Sequence, residues 1–191
     1  MKIDGIYKGQ INQLEIKEVI IQARELMERY PDESMGIVAI NRPQMERIRE
    51  ALEKREISQL KYQSFKPEVK YSDNSRVDFL LSSPNQHTYL EVKSVTLVRE
   101  RGIAEFPDSI TKRGSKHLED LSNMVASGHK AVLLFLCMRG DVDRVRIAED
   151  LDSIYYTNIK AALKSGVQLI CYDSKVTKFG VSLGKPIEFE I

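Results

Sequence analysis

Val77-Asp78-Phe79-Leu80-Leu81, Ser83-Pro84-Asn85-Gln86 and Thr88-Tyr89-Leu90-Glu91-Val92-Lys93-Ser94-Val95 form the stretch that decides the fold. Both outer segments are rich in apolar and β-branched residues, while the middle one is built from strand breakers, so an antiparallel hairpin is expected. With pairing symmetric about the Pro84–Asn85 bond, Asp78 stands directly opposite Glu91. Lys93 projects on the same side, because side chains along a strand repeat every two residues. Three charged groups therefore share one face of an otherwise apolar sheet.

Two carboxylates at one point repel each other and are costly to desolvate, so they persist together where a divalent cation binds them. Hard Mg²⁺ or Mn²⁺ is the expected cofactor. Asp78 and Glu91 are the candidate metal ligands, with the Val92 carbonyl completing the set. Lys93 is the candidate for positioning a water for attack on phosphorus and for stabilising phosphate charge. Asp78, Glu91 and Lys93 are thus the candidate catalytic residues. A plainer arrangement has the same spacing: Asp78 and Lys93 as a cross-strand ion pair, with Glu91 solvated.

The surrounding motifs extend well beyond the hairpin. Glu68-Val-Lys-Tyr71, Ser75-Arg-Val-Asp-Phe-Leu-Leu81, Tyr89-Leu-Glu-Val-Lys-Ser-Val-Thr-Leu97, Phe106-Pro-Asp-Ser-Ile-Thr-Lys-Arg-Gly-Ser-Lys-His-Leu118 and Gly128-His-Lys-Ala-Val-Leu-Leu-Phe135 occur in order. Together they resemble the sugar fermentation stimulation protein family, SfsA, from about residue 40 onward. The resemblance implies an α/β fold of the restriction-endonuclease-like, PD-(D/E)xK class, a mixed sheet flanked by helices. It also implies DNA binding and metal-dependent nuclease activity. Function on such a fold still has to be argued from the site.

Residues 1–40 read as a separate helical N-terminal extension, and residues 41–191 as the nuclease-like domain. The family pattern implies an OB-type β-barrel ahead of this domain, and residues 1–40 do not read as one. Instead Ile16, Val19, Ile20, Ala23, Leu26 and Met27 recur at three- and four-residue steps, which predicts a helix from Asn12 to Arg29. Pro31-Asp32 stops it, and Met35-Gly-Ile-Val-Ala-Ile-Asn41 reads as a short buried strand. Residues 12–45 also bear a short resemblance to a segment of superfamily I helicase C-terminal domains, without the ATPase motifs.

The 191 residues, 42% of them apolar, suffice for one sizeable core with an appendage. The formal net charge of +1 supplies no global attraction for nucleic acid, so any such surface depends on local asymmetry. From Lys93 to His117 there are six Lys/Arg against three acids, an excess just beyond the acid pair. Cys137 and Cys171 lie in apolar runs and read as reduced, buried thiols. No apolar stretch approaches the roughly 20 residues a membrane span needs, so the expected setting is cytoplasmic, with no membrane partner.

Downstream, a helix is expected to start near Pro107-Asp108, capped by Asp108 or Ser109, with Gly114, Leu118, Leu121 and Val125 facing the core. A strand at 130–138, a charged loop from Arg139 to Asp152, a helix at Tyr155–Lys164 and a strand at Val167–Tyr172 follow. This strand–helix alternation argues for a parallel portion of the sheet. Lys112, Arg113, Lys116 and His117 are candidate phosphate contacts near a helix start. Glu68 is a candidate additional acid, and Glu50 an alternative to it. The three histidines lack zinc-ligand spacing, and neither a nucleophile elbow nor a nucleotide-cradling loop is present.

A metal-dependent DNA nuclease is the expected function. The alternatives are a non-catalytic DNA-binding regulator of sugar metabolism genes and a helicase-associated nuclease fragment. A second copy of the chain, forming a homodimer, is a possible source of further contacts.

Overall fold

The computed structural model describes residues 7–8, 11–30, 43–72, 75–177 and 180–191. The chain divides into two units, Met1–Ile40 and Asn41–Ile191. In the first, β1 (Tyr7–Lys8) pairs antiparallel with β2 (Ile11–Asn12), and α1 (Gln13–Arg29) follows. Along α1, Ala23 is buried, whereas Ile20, Ile21, Leu26 and Met27 are exposed. The side chains of Ile16 and Val19 fall outside the described residues. So do the expected strand at 35–41 and residues 31–42 of the helicase-like segment.

The second unit begins with α2 (Pro43–Glu53), then β3 (Ser64–Lys70), β4 (Arg76–Ser83) and β5 (Gln86–Val95). Next come β6 (Leu97–Glu100), β7 (Gly102–Phe106), α3 (Lys112–Ala126), β8 (Lys130–Cys137) and β9 (Val142–Ile147). The last elements are α4 (Ser153–Lys164), β10 (Gln168–Thr177), β11 (Gly180–Pro186) and β12 (Glu188–Glu190). The main sheet has the order β11-β10-β8-β5-β4-β3. The expected hairpin is present, turning at Pro84–Asn85 with Ser83 facing Gln86 and Phe79 facing Leu90. β5, β8 and β10 run parallel, as the strand–helix alternation requires.

Two sequence expectations need correction here. The segment Arg139–Asp152 is not all loop, because Val142, Val145 and Ile147 are buried and form β9. Charged residues between them had masked the apolar set. β9 joins β12, β7 and β6 in a second mixed sheet, order β12-β9-β7-β6. The helix expected at Pro107-Asp108 starts instead at Lys112, with the Thr111 side chain accepting from Gly114 N–H. Asp108 and Ser109 are exposed, while Thr111 N–H bonds to Asp152 Oδ2, which ties the cap of α3 to the start of α4.

The two faces of the main sheet bury different partners. Phe79, Leu81, Leu90, Val132, Leu134 and Leu136 meet Ile48, Ala51 and Leu52 of α2 on one face. On the other, Leu133, Phe135 and Cys137 meet Leu118 and Leu121 of α3, Tyr155 and Ile159 of α4, and Val145 of the second sheet. β8 is buried from Ala131 to Cys137 because both faces are covered, which explains its continuous apolar run. Each such large side chain contributes roughly 1.5–3 kcal/mol. Cys137 and Cys171 are free and buried, and burial pushes the Cys137 thiol up to about 12.

Gly114 lets α3 approach α4. A Cβ at this position would lie 2.8 Å from the Thr111 side chain and 3.1 Å from the Tyr155 ring. Gly→Ala inside a helix ordinarily stabilises by about 1 kcal/mol. Here Gly114→Ala is expected to destabilise by about 1–3 kcal/mol through overpacking. Urea unfolding checks the sign, and a stabilised variant would show that the Tyr155 ring moves aside freely.

Candidate active site

The sheet places Asp78, Tyr89, Glu91 and Lys93 on the face covered by α3. On β4 and β5 their neighbours Val77, Phe79 and Leu90 are buried and Val92 is half-buried; Phe79, Leu90 and Val92 lie toward α2. The hairpin register that pairs Phe79 with Leu90 brings Asp78 level with Glu91. At that point the ladder opens, and Val92 N–H donates instead to Asp78 Oδ2 at 2.7 Å. A carboxylate thus replaces a strand carbonyl as the acceptor.

Glu91 is only 2% exposed. Lys93 Nζ donates to its Oε1 at 2.7 Å, and His117 Nδ1 bonds to the same oxygen. Arg113 Nε donates to His117 Nε2 at 3.3 Å, so one turn of α3 delivers two groups in series toward the sheet. The other oxygen, Glu91 Oε2, is buried with no hydrogen-bond partner among the described residues. The plainer arrangement with a solvated Glu91 is therefore excluded. The ion pair that Lys93 makes is with Glu91.

The electrostatics of the two acids diverge. Burial, and then the Glu91 charge, push the Asp78 carboxyl up to about 6, against the Val92 N–H bond and the positive charge of Lys93. Burial also acts to raise Glu91, but the hydrogen bond to His117 and the Lys93 ammonium outweigh it and hold the carboxyl below its ordinary value. Tyr71 is pushed up by burial and by the charges of Glu91, Asp120 and Asp78. Its hydroxyl is another buried group without a partner among the described residues. Ser72 Oγ donates to Asp120 Oδ2 at 3.3 Å, linking the β3–β4 connection to α3.

The other sequence-predicted residues scatter. His117 is not a surface phosphate contact, being 4% exposed and bonded to Glu91. Arg113 is exposed beside it. Lys112 and Lys116 lie about a quarter-turn away around α3, lining a groove of about 660 Å³ between α3 and α4 together with Ile154 and Asn158. Glu50 sits exposed on α2, across the sheet from the acids, so it is no candidate ligand. Glu68 is exposed on β3, between Pro67 (paired with Phe79) and Val69 (paired with Val77), and so at the level of Asp78. Its φ of 52° lies in the left-handed region, where a non-glycine residue is strained. The cation excess from Lys93 to His117 is partly consumed, since Arg99 bonds Glu105 at 2.6 Å and Asp150 at 2.5 Å.

Tyr71, Ser72 and Asp120 were missed by sequence reasoning. Asp120 had a usable signal, because it stands three residues after His117 and seven after Arg113, on one helix face. His87 and His129 also meet, with ring centroids 5.7 Å apart, although one lies at a strand start and the other after a helix.

The donor set suits a hard dication. Among the described residues no group of three or more His, Cys, Asp or Glu converges as a metal cage. Mg²⁺ does not need one, since it keeps several waters and is commonly held by one or two carboxylates. The orphaned Glu91 oxygen and the desolvated Asp78 carboxyl are what such an ion would relieve.

Asp78 makes the site testable without a ligand. Its folded value is raised from 3.8 to about 6, so the associated stability is present below 3.8 and lost as pH rises through about 6. Asp78→Asn keeps an acceptor for Val92 N–H but cannot ionise. In metal-free buffer well above pH 6 it is expected to be more stable than wild type, by on the order of 3 kcal/mol. The difference should vanish below pH 3.8. Thermal melts across this range check it, and a variant less stable at neutral pH would contradict the desolvated, repelled carboxylate.

Comparison with known proteins agrees with the fold. Residues 43–180 match a family model described as the sugar fermentation stimulation protein RE domain, SfsA. A sugar fermentation stimulation protein homolog of Ruegeria pomeroyi is 46% identical over 138 residues, covering 71% of this chain and 60% of that protein. A homolog of Dinoroseobacter shibae is 47% identical over 142 residues, covering 73% and 58%. The chain thus spans about 60% of the length of the curated relatives it matches. The structure of Pyrococcus furiosus SfsA in complex with Ca²⁺ superposes with a TM-score of 0.72 at 23% identity, covering 82% of this chain and 68% of that one. Both the matched family model and these identities place the chain in one group: it belongs to the SfsA, or sugar fermentation stimulation protein, family.

Proposed function

We propose that the chain is a metal-dependent DNA phosphodiesterase with a restriction-endonuclease-like site, and that Asp78, Glu91 and Lys93 carry the reaction. One observation carries the proposal: a buried carboxylate oxygen, Glu91 Oε2, has no hydrogen-bond partner among the described residues and lies on the same sheet face as a second, desolvated carboxyl. Leaving such an oxygen unsatisfied costs on the order of 1–3 kcal/mol, more when it is charged. Structural ion pairs do not need that cost, whereas a cation site does. The Ca²⁺ complex of the Pyrococcus furiosus relative supports the same chemistry, because Ca²⁺ is likewise a hard, oxygen-seeking dication.

Asp78 and Glu91 would hold Mg²⁺ or Mn²⁺, with the Val92 carbonyl as a further oxygen. When bound, the ion would polarise a phosphoryl oxygen and lower the pKa of water. The chain's own residues supply the rest. Val92 N–H fixes one Asp78 oxygen and so orients the carboxylate. Lys93 is steered into the site by Glu91 and places a positive charge where phosphate charge develops. His117, backed by Arg113, restrains Glu91 from the α3 side.

The test is cleavage of labelled single- and double-stranded DNA in EDTA, Mg²⁺ and Mn²⁺. Wild type is expected to cleave only with metal, and Asp78→Ala, Glu91→Ala and Lys93→Ala to lose activity by roughly 100-fold or more. Salt-sensitive binding without cleavage in any metal would instead support a DNA-binding regulator. Cleavage that persists in Asp78→Ala would overturn the assignment.

A further inference from the structure

The acids lie at a boundary. α3 packs over β5 and β8, whereas β3 is the edge strand of the main sheet, joined to it through β4. On this side, alternation places Lys66 and Lys70 of β3, and Arg76 of β4, on the face that carries Asp78. Lys66 pairs with Leu80, and Lys70 pairs directly with Arg76. All three cations are exposed, and none forms an ion pair with any described residue.

Like charges directly opposite each other on paired strands are destabilising. Lys70 and Arg76 bear that cost with no ion pair to an acid among the described residues, and Arg76 does so two residues from Asp78. Across the acids stands exposed Arg113, whose positive charge acts on Tyr71 at the end of β3. Cations thus flank the carboxylates from the sheet side and from the helix side. Among the described residues of β3 and β4, the exposed acid is Glu68, which lies level with Asp78 in the middle of them.

We propose that the β3–β4 part of this sheet face is the track for the DNA backbone, with Lys66, Lys70 and Arg76 on one side of Asp78 and Arg113 on the other binding successive phosphates. Charge complementarity selects the occupant: a row of unpaired cations leading to paired carboxylates fits a polyanion that must be led past its own repulsion to the reacting point. Lys112 and Lys116, the cations that sequence proximity favours, face the α3–α4 groove and lie off this track. The assignment of the strand's path rests on the DNA-acting proposal, while the electrostatic track can fail separately from it.

The experiment is fluorescence anisotropy of labelled single- and double-stranded 20-mers in EDTA across a salt series. The combined Lys66→Gln, Lys70→Gln, Arg76→Gln variant is expected to bind at least about tenfold more weakly at low salt. Its slope of log affinity against log salt should flatten by about 2–3, as the loss of three phosphate contacts requires. The single Lys70→Gln variant, which relieves the cross-strand repulsion, should melt no lower than wild type, so a folding defect is separable from lost binding. Lys112→Gln with Lys116→Gln should leave affinity and slope unchanged. If the triple variant binds like wild type, or if only the Lys112/Lys116 variant weakens, the track is overturned while the DNA-acting proposal stands. If wild type binds neither form of DNA, both fall together. Comparing the two DNA forms identifies which one the track carries.

Discussion

The burial of Glu91 is the constraint on which the rest of the site depends. A carboxylate that is 2% exposed cannot remain ionised in an apolar interior without compensating charge or hydrogen bonds. Here the compensation comes from two directions, Lys93 on the same strand and His117 on α3, both at one oxygen. The strand supplies its lysine through the two-residue repeat, and the helix supplies its histidine only if α3 lies at the right depth. Gly114 and the Thr111 cap set that depth against α4. Packing and electrostatics are thereby joined, because the helix interface that closes the core also brings the imidazole to the acid.

The asymmetry between the two carboxyls follows from the same arrangement. Glu91 takes the Lys93 ammonium and the His117 imidazole and stays below its ordinary value, while Asp78 keeps a backbone N–H and is pushed up by burial and by its neighbour. Pairs of titratable groups driven apart by their surroundings mark sites of chemistry more often than sites of pure structure. The second sheet takes no direct part in this. Its Phe106 and Phe189 pack directly on Phe135, and its own buried acid, Glu105, is satisfied by Arg99 and Arg146. Glu105 is a completed structural ion network, whereas Glu91 is satisfied among the described residues at only one of its two oxygens.

The site lies at the edge of the helical cover. On the α3 side the face is closed by Leu118 and Leu121. On the β3 side it carries lysine and arginine. A net charge of +1 over the whole chain conceals this division. Surface charge acts locally, within about a Debye length of 8–10 Å, so composition averages away the feature that a charged ligand would meet.

The hairpin, its turn, the shared face of Asp78, Glu91 and Lys93, and the existence of a parallel portion of the sheet were legible in the sequence alone, whereas the β5-β8-β10 order of that portion was not. Each legible feature depends on local periodicity or on short-range turn chemistry, which neighbouring residues specify among themselves. Glu91 Oε2, the separation of Lys116 from His117, the strand hidden in Val142–Ile147 and the Lys70–Arg76 pairing were decided only by tertiary structure. A single residue step along the helix, about 100° of rotation, separates a side chain that enters the site from one that faces another groove, and that phase is set by what α3 packs against. The start of α3 likewise moved from Asp108 to Lys112 because Asp152, some forty residues on, binds the Thr111 amide. Caps and burial of this kind are long-range contacts, which no local window of sequence contains.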